Sequence, residues 1–597
     1  MNKALRHRGP DASGWKEVRR KEKSVYLGNT RLKIIDLSDK ANQPLVYKDR
    51  YYLSYNGEIY NYRELKQNLE AEFSFQSNSD SEVLLYHLVK HGIEGLNDLN
   101  GMFGFAFYDA YEDCLLIARD RFGIKPVYYF YSDGELIISS ELRGIFASGL
   151  VEKSLRPEAI EEYLTYKFTL KPNTFYQSVY ELEEGKVLTL DNDQLKIFSY
   201  LSNPPVNEKV DWSRHLLVER TESLLKESLQ RQLRSDVPAG LFLSGGVDST
   251  LLLALGCELG FNIPCFSICN SKEDKNFGTE DFLFAEKAAT KYKAEFHPLP
   301  INESFLDSFP EFIQSIDQPV ADGATMLTWG LSEHAGKHVK VILTGAGADE
   351  LFAGYNRHYG FYQYLKYFHK SPLGSFIKLA GDLLPTANTS SFSKPARLIK
   401  KFARMERDPA LTYLNFASLN TGLFEVKHDK NRFFPVYIQN QKQLLFRAGL
   451  QFDKSQYLIS DILALTDGMA MQYSLETRVP FLDNDLDTFV SQIPAIKLIE
   501  HGQKWILKEI LNKKGGNKEF TARKKEGFGM PLGKWWRTKQ GRKILESLEN
   551  KNNLIYTRIS YKKLSNLLES HFNHKTDLSG ELWALAVLTE WLEKEFN

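Results

Sequence analysis

The chain of 597 residues is too long for one hydrophobic core, which predicts about two to four domains. Its 76 Lys and Arg residues balance 76 Asp and Glu residues, so its charge favours neither a nucleic acid nor a membrane as partner. The four cysteines form no CxxC pair, which argues against a zinc site and a disulfide scaffold. We recognise no signal peptide and no run of about eighteen apolar residues, so we expect a cytoplasmic protein.

Residues 24 to 200 consist of short β-type runs broken by Gly, Asn and Asp, with one helical stretch, "SDSEVLLYHLVKHG". The runs are "SVYLGNTRLKIIDL", "YYLSYNGEIYNY", "MFGFAFYDAYEDCLLIARD" and "VYYFYSDGELIISSE". Alternating apolar residues with dense turn signals are typical of antiparallel sheets. We therefore predict an α+β domain built as a sandwich of antiparallel sheets.

A segment with paired prolines and no periodicity, "YLSNPPVNEKVDW" at 200 to 212, is the natural linker to a second part. Beyond it, amphipathic helical stretches such as "RHLLVERTESLLKESLQRQL" alternate with brief apolar strands, "AGLFLS", "PCFSIC" and "VKVILTG". This alternation predicts an α/β domain with a parallel sheet wrapped by helices.

One of these strands runs through a glycine pair into a helix, in "GLFLSGGVDSTLLLA" at 240 to 254. The backbone N–H groups at such a junction suit a phosphate. Gly245 and Gly246 let the main chain approach it, and Ser244 and Ser249 add hydroxyl donors. An ordinary glycine-rich turn is the alternative, but SGGxDS directly after an apolar strand favours a phosphate site.

Asp248 stands in that loop where a bare anion would repel it, so we predict Mg²⁺ between its carboxylate and phosphate oxygens. The lysine of Walker loops is missing, and the loop resembles the pyrophosphate loop of ATP pyrophosphatases, which transfer AMP. A second junction, "VILTGAGADELFAGY", opens the backbone at Gly345 and Gly347 and presents Asp349. Ligands of open α/β sheets collect at the carboxyl ends of strands, so Asp349 is expected to complete the magnesium site, a plain connecting loop being the alternative.

Two later stretches add charged candidates. In "DGMAMQYSLETRVPFLD" we assign Met469 and Met471 to the core, whereas Glu476 and Arg478 form a polar run in which a simple ion pair is the alternative to a site. Lys504, at the start of the helix in "QKWILKEIL", is a point charge of the kind that stabilises a pentavalent phosphorus centre, although most lysines at helix starts are only solvated.

Together these motifs resemble the synthetase half of the glutamine-dependent asparagine synthetases, on "SGGVDS", "TGAGADELFAGY", "SLETRVPFLD", "KWILKEIL" and "KKEGFGMPLGKWW". The first half is similar to the class II glutamine amidotransferase domain of that family, on "HRGPD", "LGNTRLKIIDLS", "NGEIYNYREL", "SDSEVLL", "GMFGFAFYD" and "ARDRFGIKPVYY". The resemblance implies an Ntn-hydrolase-like domain at 1 to 200 and a linker at 201 to 212. For 213 to 597 it implies an ATP-pyrophosphatase domain of the adenine nucleotide alpha hydrolase-like fold, with a helical C-terminal part.

The family resemblance also implies a two-step, ATP-dependent amidation of aspartate. The side-chain carboxylate attacks the α-phosphate of ATP, and ammonia then displaces AMP from β-aspartyl-AMP. By analogy Asp248 and Asp349 carry Mg²⁺ and act with Lys504, which steadies the charge on phosphorus, while Glu476 and Arg478 shape the aspartate pocket and the seam between domains. The nucleotide-binding positions by the same analogy are Leu243, Ser244, Gly245, Gly246, Asp248, Ser249, Ile268, Thr344 and Gly345.

In the first half the resemblance implies a glutamine site at Arg31, Asn56, Gly57, Glu58 and Asp80. Asn56 and Gly57 match the oxyanion donors, Arg31 matches the group that binds the glutamine carboxylate, and Glu58 and Asp80 match those at its amino end. Relatives are often dimeric, so a homodimer is the expected assembly.

The sequence departs from the family pattern at two places. Family members begin with a catalytic cysteine, whereas this sequence starts "MNKALRHRGPD", and Cys114 is predicted to be a buried strand residue. Nitrogen is therefore expected from glutamine if a longer native form exists and from free ammonia otherwise. Many relatives carry an acid where Ala346 stands, and Glu350 and Glu476 are the substitutes to consider.

Two other functions fit parts of the pattern. A related ligase that adenylates a different carboxylic acid is one, but its β-lactam-forming members carry Tyr at the position of Ala346 and lack the glutamine-binding set. A binding or scaffold protein without chemistry is the other, and the intact Asp248, Asp349 and Lys504 argue against it.

Overall fold

The structure is a computed structural model that describes residues 1–20, 23–191, 194–202, 212–270, 281–369, 405–419, 423, 426, 428–438, 441–522, 529–573 and 577–596. Most of the predicted linker, at 203 to 211, and residues 524 to 528 of the "KKEGFGMPLGKWW" motif lie outside these ranges. Residues 1 to 202 are called the N-terminal part below, and residues from 212 onward the C-terminal part.

The strands of the described ranges are β1 Ala12–Arg20, β2 Lys23–Arg31, β3 Leu45–Tyr47, β4 Tyr51–Ile59, β5 Gly101–Asp109, β6 Cys114–Arg119, β7 Tyr128–Ser132, β8 Glu135–Ser139, β9 Val179–Glu181, β10 Lys186–Asp191, β11 Gln194–Ser199, β12 Ala239–Phe242, β13 Cys265–Asn270, β14 Phe296–Ile301, β15 Val341–Leu343 and β16 Glu476–Arg478.

The α-helices of the same ranges are α1 Tyr62–Leu69, α2 Asp80–His91, α3 Leu142–Phe146, α4 Glu158–Tyr166, α5 Arg214–Gln232, α6 Val247–Glu258, α7 Asp281–Lys291, α8 Phe309–Ser315, α9 Ala324–Gly336, α10 Ala348–Leu351, α11 Asn356–Gln363, α12 Pro409–Ala417, α13 Lys430–Phe433, α14 Lys442–Phe452, α15 Ala464–Met471, α16 Asn484–Gln492, α17 Trp505–Lys513, α18 Asn517–Thr521, α19 Leu532–Trp535, α20 Lys539–Leu545, α21 Tyr561–Phe572 and α22 Ser579–Phe596. Two π-helical stretches, Tyr364–Phe368 and Asp453–Leu463, adjoin α11 and α14.

The N-terminal part is built from antiparallel sheets, as predicted. The largest has the strand order β11-β10-β6-β5-β4-β3, a second has the order β8-β7-β9, and β1 pairs with β2. The predicted helix is confirmed as α2, which begins at an N-cap, Ser79, whose hydroxyl accepts the backbone N–H of Glu82. Cys114 does lie in a strand, β6, but it is half-buried rather than buried, because it is the first residue after the turn that joins β5 to β6.

In the C-terminal part the described strands form one parallel sheet in the order β14-β13-β12-β15-β16. The predicted strands are confirmed as β12, β13 and β15. The short strand β16 was missed, because its residues are Glu, Thr and Arg and their burial depends on tertiary ion pairs rather than on apolar character. Met469 and Met471 are both 5 % exposed, which confirms their assignment to the core.

The strand order places the sheet's switch point between β12 and β15. From β12 the chain adds β13 and β14 on one side, and it then returns to add β15 and β16 on the other. Crevices at such points, outside the carboxyl ends of the strands, are where open α/β sheets bind ligands. Along the described stretches of chain, no helix is both long and apolar enough to cross a membrane.

Candidate functional site

The two predicted loops lie side by side at this switch point. The loop after β12 leads into α6, and the loop after β15 leads into the short helix α10. A Cβ atom added to Gly345 would stand 3.0 Å from Asp248 Cβ, so glycine is what lets the two loops approach this closely. Asp248 and Asp349, predicted from separate motifs, are thereby brought to one site.

The loop after β12 has the backbone expected of a phosphate cradle. Gly245 adopts a φ of +66°, and a Cβ there would meet the backbone nitrogen of Ala285 at 2.4 Å, so no other residue fits. Ser244 Oγ and Ser249 Oγ lie 3.1 Å apart, which keeps both hydroxyls at the first turn of α6. The N-terminal N–H groups of α6 and its dipole face the same region.

The remaining predicted nucleotide residues occupy the neighbouring strand ends. Leu243 is buried and donates its backbone N–H to Phe266 of β13, while Ile268 lies half-buried further along β13. Thr344 follows β15 and donates its backbone N–H to the carbonyl of Arg478. The set therefore lines adjacent strands at a single sheet edge, as the motif order predicted.

Lys504 joins the two carboxylates. Its Nζ lies 2.6 Å from Asp248 Oδ2 and 2.7 Å from Asp349 Oδ1, and the residue is only 6 % exposed. Although burial opposes the charge, the two carboxylates raise the pKa of the Lys504 ammonium above its usual value. Its backbone φ of +52°, immediately before α17, is rarely adopted by L-residues, and here it directs the side chain between the loops. Lys504 is therefore a structural part of the site and not a solvated helix end.

Gly354 belongs to the motif "TGAGADELFAGY", but the sequence did not predict its role. A Cβ atom on it would lie 2.1 Å from both Asp349 Oδ1 and Lys504 Cε. Gln503 Nε2 also donates to its carbonyl oxygen at 2.8 Å, which ties the loop to the residue before Lys504. The ion pair of Asp349 and Lys504 thus occupies the space that a side chain at position 354 would need.

Glu350 lies behind Asp349 and is 3 % exposed. The hydroxyl of Tyr355 donates to its Oε1 at 2.6 Å. Burial and the neighbouring Asp349 carboxylate raise the pKa of Glu350 to about 7, a value at which it can exchange a proton near neutral pH. Of the two acids considered as substitutes for Ala346, Glu350 adjoins the Lys504 site along the chain, whereas Glu476 lies at the seam described below.

The five residues predicted to bind glutamine line one cavity of about 710 Å³, most of whose wall belongs to the N-terminal part. Gly57 has a φ of +153° and would place a Cβ 2.0 Å from the carbonyl oxygen of Met102, so β4 and β5 require glycine there. Asp80 accepts hydrogen bonds from Tyr55 OH at 2.7 Å and Ile59 N at 3.0 Å, and burial raises its pKa. Asn56 Nδ2 reaches Ser140 Oγ at 3.3 Å.

Arg31, the fifth residue after Asn56, Gly57, Glu58 and Asp80, is 8 % exposed and donates to the backbone carbonyls of Ile35, Asp36 and Ser38 and to the side chain of Asn42. Its guanidinium thus holds the loop after β2 in addition to lining the cavity.

Glu476 and Arg478 belong to the seam between the two parts. Arg478 Nη2 lies 3.1 Å from Glu58 Oε2, and Arg478 Nε lies 2.9 Å from Glu476 Oε1. Burial and the nearby Asp80 carboxylate raise the pKa of Glu58 well above its usual range. Glu476 therefore lines the same cavity as Glu58, and Arg478 contacts that cavity's wall through Glu58. Their assignment to an aspartate pocket stays a prediction.

A second set of buried charges at the seam was not anticipated. Arg8 donates to Glu141 Oε1 at 3.0 Å and to Asp467 Oδ2 at 2.7 Å, and Lys125 donates to Asp467 Oδ1 at 2.9 Å. Although burial opposes ionisation, Arg8 and Lys125 lower the pKa of Asp467 to about 2. No local pattern could reveal these pairs, because Arg8 and Asp467 are 459 positions apart.

Comparison with known proteins assigns both parts. A family model described as asparagine synthase matches residues 220–593, and one described as glutamine amidotransferase domain matches residues 1–201. Asparagine synthetase (glutamine-hydrolyzing) 1 of Bacillus subtilis (strain 168) is 30% identical, over 99% of this chain and 92% of that protein. Asparagine synthetase (glutamine-hydrolyzing) 3 of the same organism is 29% identical, over 96% and 90% respectively. The chain therefore belongs to the asparagine synthase family.

Proposed function

We propose that this chain uses ATP to amidate aspartate to asparagine through β-aspartyl-AMP, releasing AMP and pyrophosphate. The observation that carries the proposal is the placement of Lys504 between Asp248 and Asp349, at the sheet's switch point and beside the cradle of Ser244 to Ser249. The two relatives above carry the name asparagine synthetase, which supports aspartate over another carboxylic acid.

In the first step a β-carboxylate oxygen of aspartate attacks the α-phosphorus of ATP, and the bond to the β-phosphate oxygen breaks. The Lys504 ammonium neutralises charge that develops on the phosphorus oxygens, and the first-turn N–H groups of α6 with Ser249 hold the departing pyrophosphate. Because Lys504 is buried and paired, its charge is oriented before substrate arrives.

Mg²⁺ fits the donor set at this site. The carboxylates of Asp248 and Asp349 converge on the Lys504 ammonium, so they lie close enough together to share a metal ion as well. Mg²⁺ prefers hard oxygen donors of this kind, together with phosphate oxygens. The described residues contain no group of three or more His, Cys, Asp or Glu side chains placed to bind a metal, so the ion would depend on nucleotide oxygens. When bound, it would neutralise phosphate charge.

In the second step ammonia attacks the acyl carbon and AMP leaves. The attacking nitrogen must lose a proton, and Glu350, with its pKa near 7, is the acceptor we assign, since Ala346 has no group to accept one. Ammonia comes from glutamine bound at Arg31, Asn56, Gly57, Glu58 and Asp80 where an N-terminal cysteine attacks its amide, and from solution otherwise. A cytoplasmic homodimer is part of the proposal.

The test is a product assay on the purified chain with ATP, Mg²⁺ and aspartate, with ammonium chloride or glutamine as nitrogen donor. With ammonium chloride we expect AMP, pyrophosphate and asparagine in equal amounts, whereas glutamine is not expected to substitute for it without the N-terminal cysteine. Failure of both donors to yield asparagine would contradict the amidation. Pyrophosphate release with other acids but not with aspartate would establish the alternative ligase. Chelation of Mg²⁺ should abolish pyrophosphate release, and size-exclusion chromatography tests the dimer.

A further inference from the structure

A buried carboxyl group close to the Lys504 site has unused hydrogen-bonding capacity. Asp461 is 0 % exposed and lies in the π-helical stretch Asp453–Leu463, a backbone irregularity that is frequent at functional sites. Neither of its carboxylate oxygens accepts a hydrogen bond from any residue that the structure describes. Buried polar atoms are almost always paired, so this pair of oxygens calls for a ligand.

Arg357, on α11, carries a buried donor group for which the described residues supply no acceptor. Its guanidinium is stacked between the rings of Tyr355 and Tyr457, at 4.0 Å and 4.2 Å from their centroids, and Nε donates to Asp453 Oδ2 at 2.7 Å. Its side chain is 14 % exposed, yet Nη2 is buried and makes no hydrogen bond within the described part of the chain. The stacking fixes the plane of the guanidinium, so Nη2 is a preoriented donor.

Asp461 and Arg357 are electrostatic neighbours, and they adjoin the reaction centre. The charges that act on Asp461 are those of Asp322, Lys167, Arg357 and Glu350, and the phenol of Tyr457 faces it as well. Lys167 Nζ lies 3.5 Å from Asp322 Oδ2, so those two groups form an ion pair with each other. Tyr355 links the cluster to Glu350, the residue after Asp349, because its hydroxyl bonds Glu350 while its ring covers Arg357.

An α-amino acid presents an ammonium and a carboxylate on one carbon, and it needs an anionic acceptor and a cationic donor side by side. We propose that Asp461 binds the α-ammonium and Arg357 the α-carboxylate of the amino acid substrate, which leaves the β-carboxylate free to extend toward Lys504. This inference rests on the proposed function and gives it an amino acid pocket separate from Glu476 and Arg478, whose side chains lie at the seam.

Burial and the nearby Asp322 carboxylate raise the pKa of Asp461 well above its usual range, which favours its protonated form in the absence of substrate. An incoming ammonium favours the ionised form, and the proton leaves for solvent. Aspartate binding to the wild type should therefore be accompanied by proton release, of at most one proton from Asp461. Calorimetric titrations of aspartate in two buffers of different ionisation enthalpy count that proton and require no variant.

The variants are Asp461→Asn and Arg357→Lys, assayed for pyrophosphate release with aspartate, succinate and β-alanine. Succinate lacks the α-ammonium and β-alanine lacks the α-carboxylate. We expect Asp461→Asn to raise KM for aspartate about 10- to 100-fold and to reduce the preference for aspartate over succinate, with KM for ATP unchanged. Arg357→Lys should reduce the preference over β-alanine instead.

The matched control is Asp487→Asn, which also removes a buried carboxylate, one paired with Lys454. It should leave the preference for aspartate over succinate unchanged. A folded Asp461→Asn protein with wild-type KM and preference would overturn the inference. If the wild type releases no pyrophosphate in response to aspartate, the proposed function is contradicted instead. Calorimetric binding of aspartate then tests the pocket separately. Binding that Asp461→Asn abolishes supports the pocket, and absence of binding to the wild type refutes it.

Discussion

Arg478 Nη2 lies 3.1 Å from Glu58 Oε2, so a side chain of the parallel sheet's edge strand reaches the wall of the cavity predicted to bind glutamine. Arg478 is fully buried and also donates to Glu476 and to the backbone carbonyls of Gln232 and Arg234. One guanidinium therefore pairs with two buried carboxyl groups that belong to different parts of the chain. The two parts are joined by charge as well as by the peptide linker.

Arg478→Met should destabilise the protein strongly, because it leaves Glu58 and Glu476 buried without a cation. Breaking a buried ion pair in this way costs about 3–5 kcal/mol. The measurement is the thermal unfolding temperature by calorimetry. The double variant Glu58→Gln/Arg478→Met should recover part of the loss, since one of the orphaned charges is gone. Equal unfolding temperatures of wild type and Arg478→Met would show that the pairing is not structural.

Lys504→Ala should lower kcat for pyrophosphate release by about 100-fold or more, because it removes the positive charge placed at the reacting phosphate. Lys497→Ala, a nearby lysine that is 38 % exposed, is the control and should stay near wild type. Steady-state assays with ATP and aspartate separate the two. A Lys504→Ala enzyme with wild-type kcat would remove Lys504 from the mechanism.

Gly354→Ala should lower kcat for pyrophosphate release at least tenfold, because the added Cβ would meet Asp349 Oδ1 and Lys504 Cε at 2.1 Å. Gly360→Ala, on the following helix α11, is the matched control, since its Cβ meets only Phe416 at 3.6 Å, an ordinary contact. The same assay measures both variants, and thermal unfolding shows whether they fold. Full activity of Gly354→Ala would mean that the Lys504 ion pair is dispensable.

Glu350→Gln should change the pH profile of ammonia-dependent synthesis. Glu350 can accept a proton only when ionised, and burial with the Asp349 charge raises its pKa to about 7. The ratio of wild-type to Glu350→Gln activity should therefore rise through pH 7 and level off about one unit above it. Taking the ratio cancels the rise in free ammonia, which is common to both enzymes. A ratio independent of pH would exclude Glu350 as the proton acceptor.

The same substitution should change stability in a pH-dependent way. Below pH 4.5, the ordinary value for Glu, the folded and unfolded chains both hold the proton. Between that value and about 7 only the folded chain holds it, so ionisation of the unfolded chain favours unfolding as pH rises. Glu350→Gln should therefore gain in unfolding temperature relative to wild type across this window. A constant difference from pH 5 to 8 would mean that the pKa of Glu350 is not raised.

Local sequence signals were enough to predict the sheets of both parts and the loops of the predicted nucleotide site. Alternating β runs predicted the antiparallel sheets, and apolar strands between amphipathic helices predicted the parallel sheet. Asp248, Asp349 and Lys504 were found because glycine-rich loops and a helix start have local signatures, and the structure brings all three within hydrogen-bonding distance.

Only the tertiary structure decided which partners the buried charges have. Glu476 and Arg478 were visible as a polar run, but their contact with Glu58 depends on how the N-terminal part packs against strand β16. Likewise the role of Gly354 is set by the side chain of Lys504, 150 positions later. That the oxygens of Asp461 accept no hydrogen bond from the described residues depends on how this side chain is buried. Local pattern encodes backbone conformation and apolar faces, whereas ion pairs between distant residues exist only once the chain has packed.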